Sequence, residues 1–390
     1  MRIALYYPWL YLKSGIERTI IEIIKRSTHE YALFTNHYKP QSTYPDLQHN
    51  SIIELTWIPV KRNLPAVAYA SLVVALQKLP LLKFDLLMVN CDGLGDLITL
   101  RNNKIPILCF CHTPLRPVFD VEYRRRVLLR YKSSRPLFFL LSSGFKSIDR
   151  ALWKRYAYIL FNSRETLKRA KDGHLLNGRN SDSYSILHPG IDTKSLKPTW
   201  IYSKYFLLPG RIMWTKNIEL AINSFKHFFK NNPASYDFKL IIAGTVDKKS
   251  EIYLRALRKI TAGNPKIDFV ISPSAEQMWD LYRNAYAVIA TAFNEDWGMT
   301  PLEAMAFGKP VIAVNRGGFP ESVKHMENGM LVNPDIDSVS KAMTLLVNNF
   351  ELTKRLGGNG FKLSSAYDWS IFVAELDARI EKIVFENKKK

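Results

Sequence analysis

The chain has 390 residues, of which 47% are hydrophobic and 12% aromatic, so it has enough apolar side chains for two domain cores. Its 55 Lys and Arg against 35 Asp and Glu give a formal charge of +20, which favours an anionic partner: a phosphate ligand, a membrane surface or nucleic acid. Three cysteines argue against a disulfide framework, and the lack of an uncharged apolar run of about 18 residues argues against a membrane-spanning helix.

Short apolar runs alternate with longer helical patterns along the chain, which predicts an α/β fold with parallel sheets flanked by helices. The predicted strands are 2–7, 31–34, 52–55, 86–90, 107–111, 158–162, 185–187, 205–209, 239–243, 267–271, 287–291, 311–314 and 330–332. The polar, proline-containing stretch TKSLKPTWIYS at 193–203 is predicted to link two domains, 1–195 and 204–370. Residues 371–390 form a C-terminal helix and basic tail that could pack back on the first domain.

Each predicted domain opens with a strand that runs into a glycine-containing turn. Two doubly wound domains of this kind, facing one another, bring the carboxyl ends of both sheets to a shared cleft, where ligands bind in such folds. In the first turn, Ser14-Gly15-Ile16-Glu17-Arg18, Gly15 allows the backbone to approach a phosphate at a helix start. A turn glycine without a ligand role is the alternative.

The next strand-like segments contain Cys91, Cys109 and Cys111, which we interpret as buried strand residues rather than metal ligands. The odd cysteine number and the lack of a disulfide pattern favour a reducing compartment. His112 follows directly at a strand end, where it could hydrogen-bond a sugar hydroxyl or serve as a structural histidine.

Residues 121–156 are rich in Lys, Arg, Leu and aromatic residues and poor in acidic ones. Helices of this composition can lie on an anionic membrane surface with their apolar side chains turned inward. The alternative is a solvated helical face whose apolar side covers the first sheet. Nucleic acid is not expected as a partner, because no recognisable reading module accompanies the charge.

The second domain opens with Gly210-Arg211-Ile-Met-Trp-Thr-Lys216, directly after a strand. Arg211 offers a planar fork of donors and Lys216 a point charge, a combination that suits two phosphates of a leaving group. Two exposed surface charges are the alternative reading.

The stretch AFNEDWGMTPLEAMA at 292–306 joins a buried strand to a helix. We predict that Thr300 is the N-cap, with Pro301 at the first helical position and Glu303 completing a capping box. Capping does not account for Glu295, which lies in the loop beside Gly298, where the backbone can approach a ligand. The loop and the helix start together offer amides and a positive dipole end to an anion.

The DxD pattern Asp335-Ile-Asp337 precedes another helical pattern. We interpret Asp337 or its neighbours as a helix cap and predict no metal at any site.

Taken together, these segments resemble the retaining nucleotide-sugar glycosyltransferases of family 4, from the first residue to about residue 373. The resemblance is carried by the E-x7-E of FNEDWGMTPLEAM, the GR-x4-K of PGRIMWTKN, and the SGIERT, CHTPLR, LFNSRETLKR and ILHPGID segments. CHTPLRPVFD followed by a basic stretch is similar to the O-antigen and lipid-linked oligosaccharide mannosyltransferases. The resemblance implies the GT-B fold, in which two Rossmann-like domains face a central cleft.

The resemblance also implies roles for individual residues. Arg211 and Lys216 hold the donor diphosphate, Glu303 accepts hydrogen bonds from the ribose, and Glu295 contacts the transferred sugar. The catalytic set is Glu295, Arg211, Lys216 and His112; the donor-binding set adds Gly15, Gly298, Met299, Thr300 and Glu303. Ser14 and Ile271 stand where the family usually has glycines, and the second departure leaves the identity of the base open.

The activity implied is transfer of a hexose, with GDP-mannose favoured over UDP-glucose as donor, to a hydroxyl of a glycan or polyprenyl-linked acceptor. The resemblance implies retention of anomeric configuration and no cofactor beyond the donor. Our hypothesis for its location is a cytoplasmic enzyme on the inner membrane face. A nucleotide-sugar epimerase of the same fold and a non-catalytic protein that binds anionic membranes are the alternatives.

Overall fold

The structure is a computed structural model that describes residues 1–49, 51–61, 63–130 and 135–389. Its chain divides into two compact units. Unit 1 comprises Met1–Pro189 together with the chain from Trp369 onward, and unit 2 comprises Gly190–Asp368. Residues 131–134 of the predicted membrane segment and the last residue of the predicted basic tail lie outside the described residues.

Every predicted strand has a counterpart in the structure. The strands are β1 (Arg2–Tyr6), β2 (Trp9–Leu10), β3 (Glu30–Thr35), β4 (His37–Tyr38), β5 (Ile52–Glu54), β6 (Leu86–Cys91), β7 (Ile107–Cys111), β8 (Tyr158–Phe161), β9 (Tyr184–Ile186), β10 (Tyr205–Pro209), β11 (Lys239–Gly244), β12 (Ile267–Ile271), β13 (Ala287–Ala290), β14 (Val311–Val314) and β15 (Met330–Val332). The sequence pattern did not reveal β2 and β4, since two residues are too short a run to show a period.

The helices connect successive strands and complete each unit. They are α1 (Gly15–Arg26), α2 (Leu64–Leu76), α3 (Arg116–Phe119), α4 (Val121–Arg130), α5 (Arg135–Trp153), α6 (Arg164–Asp172), α7 (Ile218–Asn231), α8 (Glu251–Thr261), α9 (Ala275–Asn284), α10 (Met299–Ala306), α11 (Phe319–Ser322), α12 (Ile336–Asn348), α13 (Phe350–Ser364) and α14 (Trp369–Lys388).

Unit 1 is built on a parallel sheet with the strand order β5-β3-β1-β6-β7-β8-β9. Helix α14 packs against α1 of this unit, and Asp377 accepts hydrogen bonds from Ser27 and Thr28 at the end of α1. The ring of Phe372 meets Phe110 of β7 edge-to-face at 5.6 Å. The last helix therefore completes the core of the unit that the first residues begin.

Unit 2 is built on a parallel sheet with the order β12-β11-β10-β13-β14-β15. From β10 the chain proceeds outward to β11 and β12, then returns to place β13 on the other side of β10. Such a reversal leaves a crevice at the carboxyl ends of the two strands where the order changes. In unit 2 those strands are β10 and β13.

The stretch 193–203, predicted as a linker, belongs to unit 2. The ring of Trp200 meets Phe361 at 5.8 Å, and the hydroxyl of Tyr202 donates to the carbonyl of Gly308 at 3.2 Å. The buried ammonium of Lys309 donates to the carbonyl of Ile201 and lies 4.5 Å from the ring centre of Tyr202. These aromatic contacts outweigh the polar composition that suggested a linker, and the units divide after Pro189 instead.

Across the described ranges, no helix combines the length and apolar character needed to cross a membrane.

Candidate active site

A small cavity opens at the reversal point of the unit 2 sheet. Its walls are the ends of β10 and β13 and the residues that follow them: Leu208, Pro209, Lys216, Ile289, Ala290, Thr291, Ala292, Glu295, Thr300 and Phe319. Three residues predicted for the donor site, Lys216, Glu295 and Thr300, thus line one cavity at the position where doubly wound sheets bind ligands.

The loop after β10 is shaped by glycine and by a left-handed asparagine. Gly210 has φ +123°, and a Cβ at the neighbouring Gly244 would lie 1.8 Å from the Gly210 carbonyl oxygen. A short 3₁₀ turn, Trp214–Lys216, then ends at Asn217 with φ 50°. Gly210 is therefore favoured by its positive φ and Gly244 by the close approach of the backbone, and the loop holds Lys216 at the cavity wall.

Lys216 and Glu295 form an ion pair, with Nζ to Oε2 at 2.5 Å. Both side chains retain about a quarter of their exposure, 22% and 24%. Their two loops are also joined through the backbone, since the Thr291 hydroxyl donates to the Lys216 carbonyl at 3.0 Å and the Phe293 amide to the Thr215 carbonyl at 3.0 Å. Lys216, the predicted phosphate-binding cation, and Glu295, the predicted sugar-binding carboxylate, are therefore direct neighbours.

Arg211 differs from Lys216 because its guanidinium makes no hydrogen bond or ion pair with any described residue. It is only partly exposed, directly after Gly210. A half-buried guanidinium without a carboxylate retains its donors for an external anion.

The start of α10 differs from the predicted capping box. Gly298, with φ +85°, is the N-cap, no side chain caps the helix, and Thr300 and Pro301 lie inside the first turn. The helix begins two residues earlier than predicted because glycine can adopt this left-handed conformation. The first-turn amides and the positive end of the helix dipole therefore have no side-chain cap at the cavity.

Glu303, predicted to reach back to the Thr300 amide, instead accepts a hydrogen bond from the hydroxyl of Tyr282 at 2.7 Å. Tyr282 is buried, and its ring stacks on Phe307 with centroids 5.8 Å apart. Burial, followed by the negative charge of Glu303, raises the pKa of Tyr282 well above its ordinary value, so the phenol stays a donor. Sequence reasoning missed Tyr282, since nothing in the local pattern of α9 links it to a residue on α10.

We expect Tyr282→Phe to raise the KM for the nucleotide donor about threefold to tenfold with little change in kcat, because one hydrogen bond orienting Glu303 is lost. The ring packing is retained. Tyr286→Phe is the matched control, since its hydroxyl donates to the Leu346 carbonyl at 2.9 Å, away from Glu303. Equal KM values for the two variants would contradict an orienting role for Tyr282.

Two further glycines, also missed, support the Glu295 loop. A Cβ at Gly317 would lie 2.4 Å from the Glu295 carbonyl oxygen, and one at Gly318 would lie 2.6 Å from the Asp296 carbonyl oxygen. The Gly318 amide donates to the Glu295 carbonyl at 2.8 Å. The sequence signal for them is the glycine pair directly after strand β14 in NRGGFPE.

The DxD segment caps a helix. Asp335 is the N-cap of α12 and accepts from the Ser338 amide at 2.7 Å, while Asp337 pairs with Lys341 at 2.7 Å. The cap interpretation is confirmed, with Asp335 as the capping residue.

The remaining predicted site residues, Gly15 and His112, belong to unit 1. Gly15 is the first residue of α1, where Ser14 accepts from the Ile16 amide at 3.3 Å and donates to the buried carboxylate of Glu17. His112 is almost buried after β7, with Nε2 2.8 Å from Oδ1 of Asn90. Their predicted contacts with a donor stay predictions.

The three cysteines are buried and free, as the sequence interpretation expected. Sγ of Cys91 donates to Asp96 at 3.0 Å, and Asp96 also accepts from the hydroxyl of Tyr156. Ligand atoms of Cys91, Asp96 and Cys109 lie within 4.8 Å of one another, so the group is close enough to hold a cation. The predicted absence of a metal stays a prediction.

A second buried carboxyl, Asp149 on α5, adjoins this group. Burial, followed by the negative charge of Asp96, raises the pKa of Asp149 well above its ordinary value of 3.8. The folded protein then binds more protons than the unfolded protein. The contribution of Asp149 to stability is therefore fully present below pH 3.8 and is lost as the pH rises through the folded pKa.

We therefore expect Asp149→Asn to stabilise unit 1 more at about pH 8 than at about pH 5, by a difference of about 1 kcal/mol or more. Unfolding midpoints across pH, read from hydrogen exchange in α5, measure the effect. Asp172→Asn, at a 65% exposed position, is the control and should show no such pH dependence. Parallel pH profiles for Asp149→Asn and the wild type would contradict the prediction.

Comparison with known protein families identifies a match for the unit that contains this cavity. Residues 201–363, nearly all of unit 2, match the family "Glycosyl transferases group 1". The match lies within unit 2. The predicted resemblance to glycosyltransferases is confirmed for this part of the chain.

Similar curated proteins include two named as mannosyltransferases. The alpha-1,3/1,6-mannosyltransferase ALG2 of Dictyostelium discoideum is 28% identical over 53% of this chain and 52% of its own, and the ALG2 of Mus musculus is 26% identical over 95% and 94%. The matched part of this chain spans about half of the relative's own length for the Dictyostelium ALG2, 52%, and for an uncharacterized glycosyltransferase of Methanocaldococcus jannaschii, 46%.

Among solved structures, Anabaena Alr3699/HepE in complex with UDP and glucose is similar to this protein over 98% of the chain and 99% of its own. The TM-score is 0.75 at 16% identity. At this identity the likeness shows the fold alone, and the predicted α/β GT-B fold is confirmed.

Proposed function

We propose that this glycosyltransferase moves a mannosyl group from GDP-mannose to a hydroxyl of a glycan or polyprenyl-linked acceptor, with retention of configuration. The observation that carries the proposal is the cavity of unit 2, where Lys216, Glu295 and the uncapped start of α10 meet. The names of the ALG2 relatives support mannose as the sugar.

Breaking the anomeric bond leaves negative charge on the departing diphosphate while the sugar becomes cation-like. Arg211, Lys216 and the first amides of α10 stabilise that charge, as electrostatic preorganisation requires. The carboxylate of Glu295 accepts hydrogen bonds from the hydroxyls of the transferred sugar, and Glu303 accepts them from the ribose. The departing phosphate helps to deprotonate the acceptor on the same face, so no carboxylate acts as a covalent nucleophile.

Donor binding displaces Nζ of Lys216 from Glu295, because the ion pair occupies both groups in the structure. The phosphate then replaces Glu295 as the partner of Lys216, and a sugar hydroxyl replaces Lys216 as the partner of Glu295. A complete nucleotide sugar satisfies both groups, whereas a nucleoside diphosphate satisfies only one. This exchange favours the intact donor.

The test of the proposed function is a thermal-shift series with GDP-mannose, UDP-glucose, GDP and UDP, repeated on Arg211→Ala and Glu303→Ala. We expect GDP-mannose to give the largest stabilisation of the wild type and a smaller one in each variant. A larger shift with UDP-glucose would overturn the donor assignment, and no shift with any nucleotide would overturn the function.

An epimerase of the same fold is the competing enzyme. It would convert the nucleotide sugar without an acceptor, so product analysis of the donor alone separates the two activities.

We further propose a cytoplasmic site of action on the inner membrane face, with an anionic membrane surface bound through residues 121–156. Leu137, Leu140 and Leu141 are exposed on α5. Burial, followed by the positive charges of Arg124 and Arg150, lowers the pKa of Lys146. Exposed apolar groups beside crowded positive charges suit anionic lipid headgroups.

A further inference from the structure

Helix α2 exposes an apolar face that the proposed function does not use. Its sequence, LPAVAYASLVVAL, contains no charged residue, yet Ala70 and Val74 are its only fully buried positions. Leu64, Leu72 and Leu76, spaced at multiples of four residues, are 48%, 59% and 59% exposed. Residues four apart lie on the same side of a helix, so these leucines form one stripe.

Aromatic residues extend the stripe. Tyr69 is exposed on α2, and its hydroxyl donates to the carbonyl of the exposed Trp57 at 3.5 Å. We call Trp57, Leu64, Tyr69, Leu72 and Leu76 the α2 face. Monomeric proteins rarely expose large apolar patches without a partner, and Trp and Tyr are the residues enriched where membrane meets water.

The charges around the α2 face have one sign. From residue 55 to residue 84 the sequence contains no Asp or Glu, whereas Lys61 precedes α2 and Lys78 and Lys83 follow it. An apolar stripe with lysines at both ends matches the interior and the headgroups of an anionic membrane. A second copy of this chain fits less well, since each copy carries a formal charge of +20.

The α2 face and the basic helix α5 belong to the same layer of unit 1. Both helices pack against the 3₁₀ segment Leu94–Leu100. Ala70 and Val74 of α2 share one apolar core with Leu152 and Trp153 of α5. A membrane that contacts α5 from the solvent side of this layer can also contact α2.

From these observations we propose that α2 lies in the headgroup region of an anionic membrane, with the α2 face turned toward the acyl chains. A helix of 13 residues is about 20 Å long, too short to cross a bilayer core of about 30 Å, so it binds parallel to the surface. The inference deepens the proposed function, because it adds a second membrane contact to unit 1.

The test is co-sedimentation of the full chain with vesicles of phosphatidylcholine, with and without phosphatidylglycerol. We expect the wild type to bind the anionic vesicles and Leu72→Glu to weaken binding about tenfold or more, since it places a negative charge in the α2 face. Ile252→Glu is the matched control: Ile252 is 64% exposed on α8 of unit 2 and should leave binding unchanged. Equal vesicle binding by Leu72→Glu and wild type would overturn the proposal.

Two further measurements separate the alternatives. A bimane label at Leu72→Cys, specific because the native cysteines are buried, should shift its emission to the blue on anionic vesicles; an unshifted emission would overturn insertion. Gel filtration tests for a second copy: a wild-type dimer that Leu72→Glu makes monomeric, with vesicle binding intact, would also overturn the proposal.

The thermal shift with nucleotides provides an independent readout. Leu72→Glu should respond to nucleotides like the wild type, because the α2 face belongs to unit 1 and the cavity to unit 2. Failure of every nucleotide to stabilise the wild type would remove the proposed function and leave the vesicle result standing.

Discussion

Lys216→Met is expected to reduce the kcat of sugar transfer about 100-fold to 1,000-fold. The ammonium of Lys216 lines the cavity beside the uncapped start of α10, where charge on the departing diphosphate needs a fixed donor. Methionine retains the length and apolar stem of the side chain but removes the charge. Single-turnover transfer with saturating donor measures the effect on the chemical step.

The chain offers a matched control for this substitution. Lys239 pairs with Asp268 at 3.3 Å in the same unit, with both side chains about half exposed, 49% and 48%. Lys239→Met therefore removes a similar ion pair without touching the cavity and should leave kcat unchanged. A loss of less than about tenfold in Lys216→Met would refute charge stabilisation by this residue.

Glu295→Gln is expected to reduce transfer about 10-fold to 100-fold while changing the free energy of unfolding by no more than about 1 kcal/mol. The amide preserves the shape of the side chain but weakens its hydrogen bonds to sugar hydroxyls. Loss of the carboxylate also releases Lys216 from its ion pair. Binding of the nucleotide sugar should weaken, whereas binding of the nucleoside diphosphate should stay equal or become tighter.

Isothermal titration with GDP-mannose and with GDP measures the two affinities, and Asp268→Asn is the control for loss of an ion pair elsewhere in unit 2. Equal weakening of both ligands in Glu295→Gln would contradict the assignment of Glu295 to the sugar. The double variant with Lys216→Met should lose less than the sum of the two single effects, because the two residues contact each other.

The strands could be predicted from the sequence because those of a parallel sheet are buried on both faces and appear as short apolar runs. Runs such as LLMVN and AVIA have this form. The division into units was harder to predict: 193–203 is polar in composition, but Trp200 and Tyr202 pack on unit 2. Composition describes the average of a segment, whereas two aromatic side chains determined where it packs.

The candidate site shows a similar limit. Lys216, Glu295 and Thr300 could be predicted together because each follows a strand end, and the ends of adjacent parallel strands meet at one edge. The partner of Glu303 could not, since Tyr282 lies 21 residues away on another helix. The capping box failed for a conformational reason: Gly298 adopts a φ of +85°, which a sequence pattern cannot specify.

The return of α14 to unit 1 affects how the protein folds during synthesis. Unit 2 is one continuous segment, Gly190–Asp368, and all of its residues leave the ribosome before α14 does. Unit 1 is interrupted in the sequence, because Phe110 cannot contact Phe372 until α14 has been synthesised. Domains generally fold as units during translation, with the N-terminal domain first. In this chain we expect the order to be reversed, with unit 2 reaching its native state while unit 1, synthesised first, is still incomplete. Ribosome-bound chains that end at Asp368 and continue into a flexible extension long enough to carry unit 2 out of the exit tunnel should therefore protect unit 2 from protease and leave unit 1 cleavable; equal protection of both units would contradict this order.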